Sequence, residues 1–318
     1  MFNLGILGCS EIAYRRFMPA VSQIKNIKVI AIAEEYDKSK LGPFCEKYGL
    51  ESESSFESLI KRDDIDIVYV PQPPALHYKW AKYALKCKKH VLIEKPSTTE
   101  YRLTEELVNL ARSNNLSLHE NYMFQYHSQI DEIQSMIAGG MLGEVLLYKA
   151  AFGFPLRAKN DFRYNRALGG GALLDAGGYT VKLASILLGD TIKVDSSHLM
   201  KLDDYEVDMY GNASLSNDKG TVCQIGFGMD CHYQCSLEVW GSKGYLYTNR
   251  IFTSPPEYEP DIEIRNAEGI QHMKLKPDSH FKKSIETFLQ EITDVKKREK
   301  MYKEILLQAK LIESIQNN

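Results

Sequence analysis

At 318 residues the chain is long enough for two domains, and its 44% hydrophobic and 25% charged residues are those of an ordinary water-soluble protein. Thirty-nine Lys and Arg against 42 Asp and Glu leave a formal charge of −3 with no long basic run, which argues against nucleic acid and anionic membranes as partners. No apolar stretch reads as the ~20 residues of a membrane helix, and Met1-Phe2-Asn3-Leu4-Gly5-Ile6-Leu7-Gly8 enters a strand without a charged leader, so a cytoplasmic location is expected.

The first part of the chain alternates strand and helix. Asn3 to Leu7 and Ile27 to Ala33 read as strands, separated by an amphipathic helix from Glu11 to Gln23. Helices follow over Lys38 to Tyr48 and Ser54 to Ile60, then a buried strand over Ile65 to Val70. Pro71-Gln72-Pro73-Pro74 breaks the chain, and Pro74 is placed to open a helix running to Lys86. Val91 to Ile93, a helix over Thr99 to Asn114 and the strand Ser117 to Glu120 complete an alternation that indicates a doubly wound parallel sheet. The pattern changes after Asn121. A helix from Ser128 to Ala138 leads into a strand from Glu144 to Phe152. Later β segments are punctuated by the turn signals Asn217-Asp218-Lys219-Gly220, Gly241-Ser242-Lys243-Gly244 and Asn266-Ala267-Glu268-Gly269, which predict antiparallel hairpins. Helices over Ser279 to Lys296 and Arg298 to Ile315 close the chain. The domains expected are therefore 1–121 and 122–318.

Six cysteines are scattered. Cys231 and Cys235 lie in a segment that reads as β, where four residues span roughly 13 Å, too far for one zinc ion. Reduced core thiols and no metal site are expected.

Gly8, Cys9, Ser10, Glu11 and Ile12 join the first strand to the first helix, where glycine permits a tight turn and free amides at the helix start face a pyrophosphate. Ser10 stands where a further glycine is usual in such turns. Glu34, at the end of the second strand, can accept hydrogen bonds from ribose hydroxyls and repels a 2′-phosphate. NAD(H) is therefore favoured, with NADP(H) left open. Pro71, Pro73 and His77 follow the strand that in this topology lies against nicotinamide or ribose. Asn121 follows another parallel strand and is a candidate for the nicotinamide ribose. Arg163 could reach a phosphate, and Tyr126 and His127 could line a substrate pocket.

Glu94-Lys95-Pro96 follows the apolar run His90-Val91-Leu92-Ile93, which puts Glu94 and Lys95 at the carboxyl edge of the sheet, where open α/β folds bind ligands. Gly169-Gly170-Gly171 approaches a helix carrying Asp175 and Tyr179, four residues apart and hence on one face. A cation, a carboxylate and a phenol suit proton and hydride chemistry at a carbonyl.

These motifs together resemble the glucose-fructose oxidoreductase / inositol dehydrogenase (Gfo/Idh/MocA) family over nearly the whole chain. The resemblance implies an amino-terminal Rossmann domain and a carboxyl-terminal α/β domain with a large open, mainly antiparallel sheet. Most members carry a histidine four residues after the aspartate. Here Tyr179 stands in its place and, with Tyr14-Arg15-Arg16, Glu120-Asn121-Tyr122-Met123-Phe124, Gly226-Phe227-Gly228-Met229 and Asn249-Arg250-Ile251-Phe252-Thr253, is similar to the nucleotide-linked sugar 3-ketoreductase branch. That branch implies reduction of the C-3 keto group of a nucleotide-linked deoxysugar. Tyr179 would act as proton donor, since a phenol holds its proton at neutral pH and a nearby ammonium eases its release. Lys95 would be the electrostatic catalyst and Asp175 the orienting carboxylate. A dehydrogenase of a free sugar, inositol or similar polyol runs the same step in reverse, and a catalytically inert nucleotide sensor shares the fold. Retention of Lys95, Asp175 and Tyr179 together argues against the sensor. An open sheet face is a common pairing surface, so a homodimer or homotetramer is expected.

Overall fold

The computed structural model describes the whole chain, Met1–Asn318. Six strands form a parallel sheet: β1 (Phe2–Leu7), β2 (Ile27–Ala33), β3 (Glu51–Glu53), β4 (Ile67–Val70), β5 (His90–Ile93) and β6 (Leu118–Glu120). Their order is β3-β2-β1-β4-β5-β6. The chain winds outward from β1 in one direction and from β4 in the other, so the switch point lies between β1 and β4. Loops leaving the carboxyl ends of those two strands diverge there, which opens the crevice in which doubly wound sheets take their ligands. β4 and β5 are central, covered on both faces, and accordingly apolar without alternation. The short edge strand β3 has no apolar pattern to announce it in the sequence.

The helices of this part are α1 (Met18–Val21), α2 (Leu41–Tyr48), α3 (Phe56–Lys61), α4 (Pro74–Lys86) and α5 (Tyr101–Ser113). The compact unit they form with the sheet spans Met1–Asn121 and also takes in Phe281–Ala309. The sequence pattern alone assigns everything after residue 121 to the second domain. The structure instead returns helix α8 (His280–Thr293) and most of α9 (Val295–Asn317) to the first unit. The reason is chemical: all three residues of β6 are buried, and α8 supplies the partners of its one histidine. His119 stacks near Phe288 at 5.6 Å and meets Ser284 Oγ and the Glu291 carboxylate at 3.1 and 3.0 Å. Farther along, the Tyr302 hydroxyl donates to the Leu116 carbonyl and Arg112 pairs with Glu299 at 3.1 Å.

The second unit comprises Tyr122–His280 and Lys310–Asn318. Its sheet has eight strands in the order β14-β13-β12-β11-β7-β10-β9-β8: β7 (Val145–Phe154), β8 (Lys193–Lys201), β9 (Asp208–Ser216), β10 (Val222–Met229), β11 (Gln234–Gly241), β12 (Gly244–Thr248), β13 (Asp261–Asn266) and β14 (Gly269–Lys274). Every pairing is antiparallel except β7 with β10. Residues alternate strictly along β9, and the inward set Met209, Ala213 and Leu215 is buried. The helices of this unit are α6 (Ser128–Ala138) and α7 (Gly178–Leu188), and the apolar α7 is buried along most of its length. The opposite sheet face carries Trp240, 41% exposed, with Lys149 Nζ lying over its ring at 4.1 Å.

Two sequence expectations are corrected here. The segment Arg166–Leu188 is, by length and composition, apolar enough to cross a membrane, yet 78% of its apolar window is buried inside the protein, as befits a core helix. Cys231 is exposed in the turn between β10 and β11, not in a strand, while Cys223 and Cys235 are buried; all six cysteines are unpaired. No group of three or more His, Cys, Asp or Glu is arranged to hold a metal ion.

Candidate active site

In the first unit, the turn after β1 is shaped by Gly8. Its φ of +105° suits only glycine, and a Cβ there would meet Gln72 Nε2 at 2.1 Å. Its amide donates to the Ala33 carbonyl at 2.8 Å, which draws the end of β2 alongside. The Ser10 hydroxyl accepts from the Ala13 amide at 3.2 Å and so starts the helix, a task that explains a serine where glycine is usual. Glu11 turns outward and pairs with Arg15 at 3.1 Å; Ile12 leads into a π-helical turn over Ala13–Phe17. Glu34 is only 6% exposed. One of its carboxylate oxygens accepts from the Cys9 amide at 2.6 Å, the other from the Tyr36 and Asp37 amides at 2.8 and 3.3 Å. Burial, followed by this carboxylate, pushes the Cys9 thiol up to about 12, so it stays protonated. A close-packed glycine, a helix start and a fixed carboxylate at the switch point fit a dinucleotide.

The Glu94-Lys95-Pro96 segment leaves β5, which β4 separates from β1, and is clamped on both sides. Glu94 accepts from Tyr69 Oη and Asn121 Nδ2, both at 2.7 Å, and burial raises its pKa above the usual carboxylate range. Asn121 Oδ1 accepts from Ser284 Oγ at 2.8 Å, so a buried polar chain runs from Glu94 through Asn121, Ser284 and His119 to Glu291. The Lys95–Pro96 peptide is cis. The Pro96 carbonyl lies 2.8 Å from His77 Nδ1, and His77 Nε2 lies 2.6 Å from the Gln72 carbonyl, while the Gln72 side chain donates to the Leu7 carbonyl. His77 is fully buried, and desolvation pushes its pKa down to about 4. It braces the loops after β1, β4 and β5 through the Gln72 and Pro96 carbonyls. Pro71 is buried and Pro73 half-buried at the mouth of the same loop.

In the second unit, the glycine triplet is needed for close approach. A Cβ on Gly170 would meet the Arg163 carbonyl oxygen at 2.3 Å, and one on Gly171 (φ +122°) the Asp208 carboxylate at 2.4 Å. Leu173 through Gly177 form a π-helical turn that runs into α7, a geometry that single-turn π insertions adopt at functional sites. Gly178 lets the helix lie against Tyr122, whose hydroxyl a Cβ would meet at 2.2 Å. Tyr179 follows, 8% exposed, ringed by Tyr122, Phe124, Phe152 and Phe252 at 5.1–5.9 Å between centroids, with its hydroxyl 3.8 Å from Met123 Sδ. Asp175 accepts from Arg163 Nε at 2.5 Å, and Arg163 also pairs with Asp161 at 3.1 Å. Arg163 is thus engaged by two carboxylates rather than held ready for a phosphate. His127 is fully buried and its Nδ1 accepts from the Gln129 amide at 3.1 Å, capping α6; Tyr126 beside it is half-buried. The aromatic ring around Tyr179 and the Gln72 and Ser284 links escape sequence reading; a paired Gly177-Gly178 inside an apolar helix is the only signal of the Tyr122 contact.

Lys95 belongs to the first unit and Asp175 and Tyr179 to the second. Residues 2–122 match the model of an oxidoreductase family with an NAD-binding Rossmann fold, and residues 130–247 match the GFO/IDH/MocA C-terminal domain. A dTDP-3,4-didehydro-2,6-dideoxy-alpha-D-glucose 3-reductase from Saccharopolyspora spinosa is 38% identical, over 91% of this chain and 87% of the relative. The enzyme of the same name from Actinomadura kijaniata is 36% identical, over 98% and 94%. The crystal structure of KijD10, a 3-ketoreductase from Actinomadura kijaniata in complex with NADP and TDP-benzene, superposes with a TM-score of 0.96 at 35% identity, covering 99% of this chain and 97% of that one. Forms of KijD10 with a tyrosine changed to phenylalanine and with a lysine changed to alanine or glutamate are also known in complex with those ligands.

Proposed function

Since the chain belongs to the Gfo/Idh/MocA family of NAD-binding oxidoreductases, we propose that it reduces the C-3 keto group of a nucleotide-linked deoxysugar at the expense of a reduced nicotinamide dinucleotide. The observation that carries this reading is end-to-end similarity to 3-ketoreductases, in sequence and in fold, combined with Lys95 at the carboxyl edge of the Rossmann sheet and Tyr179 on the first turn of α7.

The bound nicotinamide supplies the hydride to the keto carbon. Gly8, Cys9, Ser10, Glu11 and Ile12 take the pyrophosphate at the turn, and Glu34 takes the ribose hydroxyls. Pro71, Pro73, Glu94 and Asn121 shape the nicotinamide end. Tyr179 gives its proton to the carbonyl oxygen as negative charge grows there, and its aromatic surround keeps water from that oxygen. Lys95 opposes the same growing charge, an effect typically worth a few kcal/mol. The contacts on either side of it fix the backbone from which the lysine side chain extends. Asp175, anchored by Arg163, orients a substrate hydroxyl or the lysine.

Glu34 favours NADH over NADPH, because its carboxylate is tied down by three amides and cannot swing away from a 2′-phosphate. A second copy of the chain covers the open face of the eight-stranded sheet, where Trp240 stands exposed, giving a homodimer or a pair of dimers. Six unpaired cysteines suit a reducing cytoplasm. The deciding assay follows nicotinamide absorbance with a nucleotide-linked 3-ketosugar in one arm and free sugars and inositols with the oxidised cofactor in the other. Turnover is expected only in the first arm, and turnover confined to the second would overturn the proposal.

A further inference from the structure

The loop from Pro155 to Leu168, between β7 and the π-helical turn, carries four basic side chains in a chain whose formal charge is −3. Arg163 is neutralised by Asp175 and Asp161. Arg157, Lys159 and Arg166 are exposed, and none of them is ion-paired. The acidic turn around Asp203, Asp204 and Glu206 adjoins the loop through the Tyr164–Tyr205 ring contact at 5.2 Å, yet none of its carboxylates pairs with these cations.

The three charges stand on a built surface. The Tyr164 hydroxyl accepts from the Arg157 amide at 2.8 Å, and the side chains of Asp161 and Asn165 accept from the Arg163 and Ala167 amides at 3.0 and 2.9 Å, each capping a short 3-10 turn. Gly169, at φ +79°, ends the second turn and hands the chain to the π-helical segment. A loop fixed in this way loses little entropy when it takes a ligand.

Its position relative to Tyr179 is also fixed. The Arg157 guanidinium lies over the Phe154 ring at 5.1 Å, Phe154 meets Phe152 at 6.2 Å, and Phe152 meets Tyr179 at 5.1 Å. The Arg163–Asp175 pair ties the same loop to the helical turn just ahead of Tyr179. A sugar whose carbonyl faces the Tyr179 hydroxyl therefore has this loop on one side of it, at the end of a short aromatic wall.

We propose that Arg157, Lys159 and Arg166 form the diphosphate-recognition site for the substrate, with the two guanidinium forks taking phosphate oxygens in pairs and the lysine adding a point charge. This rests on the nucleotide-linked substrate proposed above. The site selects substrates by their diphosphate and leaves the chemical step to Lys95 and Tyr179.

The test uses the full-length enzyme loaded with NADH, with thymidine diphosphate as the binding probe and thymidine as the uncharged control. R157A and R166A are each expected to weaken thymidine diphosphate at least fivefold, and the double variant at least thirtyfold, with thymidine and NADH binding unchanged. R157K keeps the charge without the fork and is expected to weaken thymidine diphosphate less than R157A does, which separates loss of charge from loss of folding. In turnover, KM for the nucleotide-linked ketosugar rises while kcat stays within threefold. Wild-type thymidine diphosphate affinity in the double variant, or a fall in kcat without a rise in KM, would overturn the assignment. If the wild-type enzyme reduces a free ketosugar as well as a nucleotide-linked one, the proposed function itself fails. If it requires the nucleotide and the variants keep their KM, only the loop assignment fails.

Discussion

Replacing Glu34 by serine should change which dinucleotide the enzyme prefers, by an amount the structure allows to be worked out. The carboxylate is nearly sealed from solvent and is held by the Cys9, Tyr36 and Asp37 amides. A 2′-phosphate bound at this edge would sit about 5 Å from it, where each unit of like charge costs about 3 kcal/mol at an effective dielectric of about 20. Screening by ~0.15 M salt and relaxation of the ligand reduce this to about 1–2 kcal/mol, a factor of about 5–30 in the ratio of NADPH to NADH affinity. Loss of the three amide contacts loosens the turn, each net bond contributing about 1 kcal/mol, so NADH itself should bind several-fold more weakly. E34Q keeps an acceptor without the charge and should recover part of the NADH affinity while still admitting NADPH. Fluorescence titration of both cofactors against wild type, E34S and E34Q measures the ratio directly. An affinity ratio in E34S within twofold of wild type would refute the electrostatic argument.

Four further outcomes follow from the same geometry. Tyr179→Phe removes the proton donor while keeping the ring among its aromatic neighbours, so kcat should fall by about 10- to 1,000-fold with NADH binding intact; wild-type turnover would remove Tyr179 from the chemistry. Lys95→Ala should lower kcat further still, and a change confined to KM would contradict an electrostatic role. Gly178→Ala puts a methyl group 2.2 Å from the Tyr122 hydroxyl, so Tyr122 must shift and a loss of about 1–3 kcal/mol is expected in urea unfolding. His77 and His90 are both held near a pKa of about 4, mainly by burial. Their unfolded counterparts take up protons near pH 6.5, so the stability they contribute is complete above that pH and is lost as pH falls toward 4, at up to about 1.4 kcal/mol per pH unit for each. His77→Asn should flatten this acid slope, and an unchanged slope in urea midpoints between pH 6.5 and 4 would contradict the account.

The strand and helix alternation before Asn121 was readable because each element carries its own local signal. Ile27–Ala33 and Pro74–Lys86 take the bounds their apolar pattern and opening proline imply, and the three Gly-ended turns each close a hairpin. What escaped depends on partners distant in sequence. His77 reads as an ordinary helix residue until the Gln72 and Pro96 carbonyls arrive on either side of it. Phe281–Ala309 reads as the end of the second domain, because nothing within it announces that Ser284 and Glu291 answer to His119. The spacing of Asp175 and Tyr179 correctly puts both on one helical segment, but a π-helical turn has no periodicity strong enough to be seen in five residues. Arg166–Leu188 shows the converse: its length and apolar composition went unread in the sequence, and its burial makes it a core helix.

The polar chain from Glu94 to Glu291 also determines where the protein can be cut. A fragment expressed as residues 1–121 would lack Ser284, Glu291 and Tyr302, so Asn121, His119 and the Leu116 carbonyl would lose these bonds, each worth about 1 kcal/mol, and the covered face of β6 would open to water. Chimaeras that exchange the dinucleotide half between relatives would need two splice points, so that the carboxyl-terminal helices travel with the nucleotide half they complete.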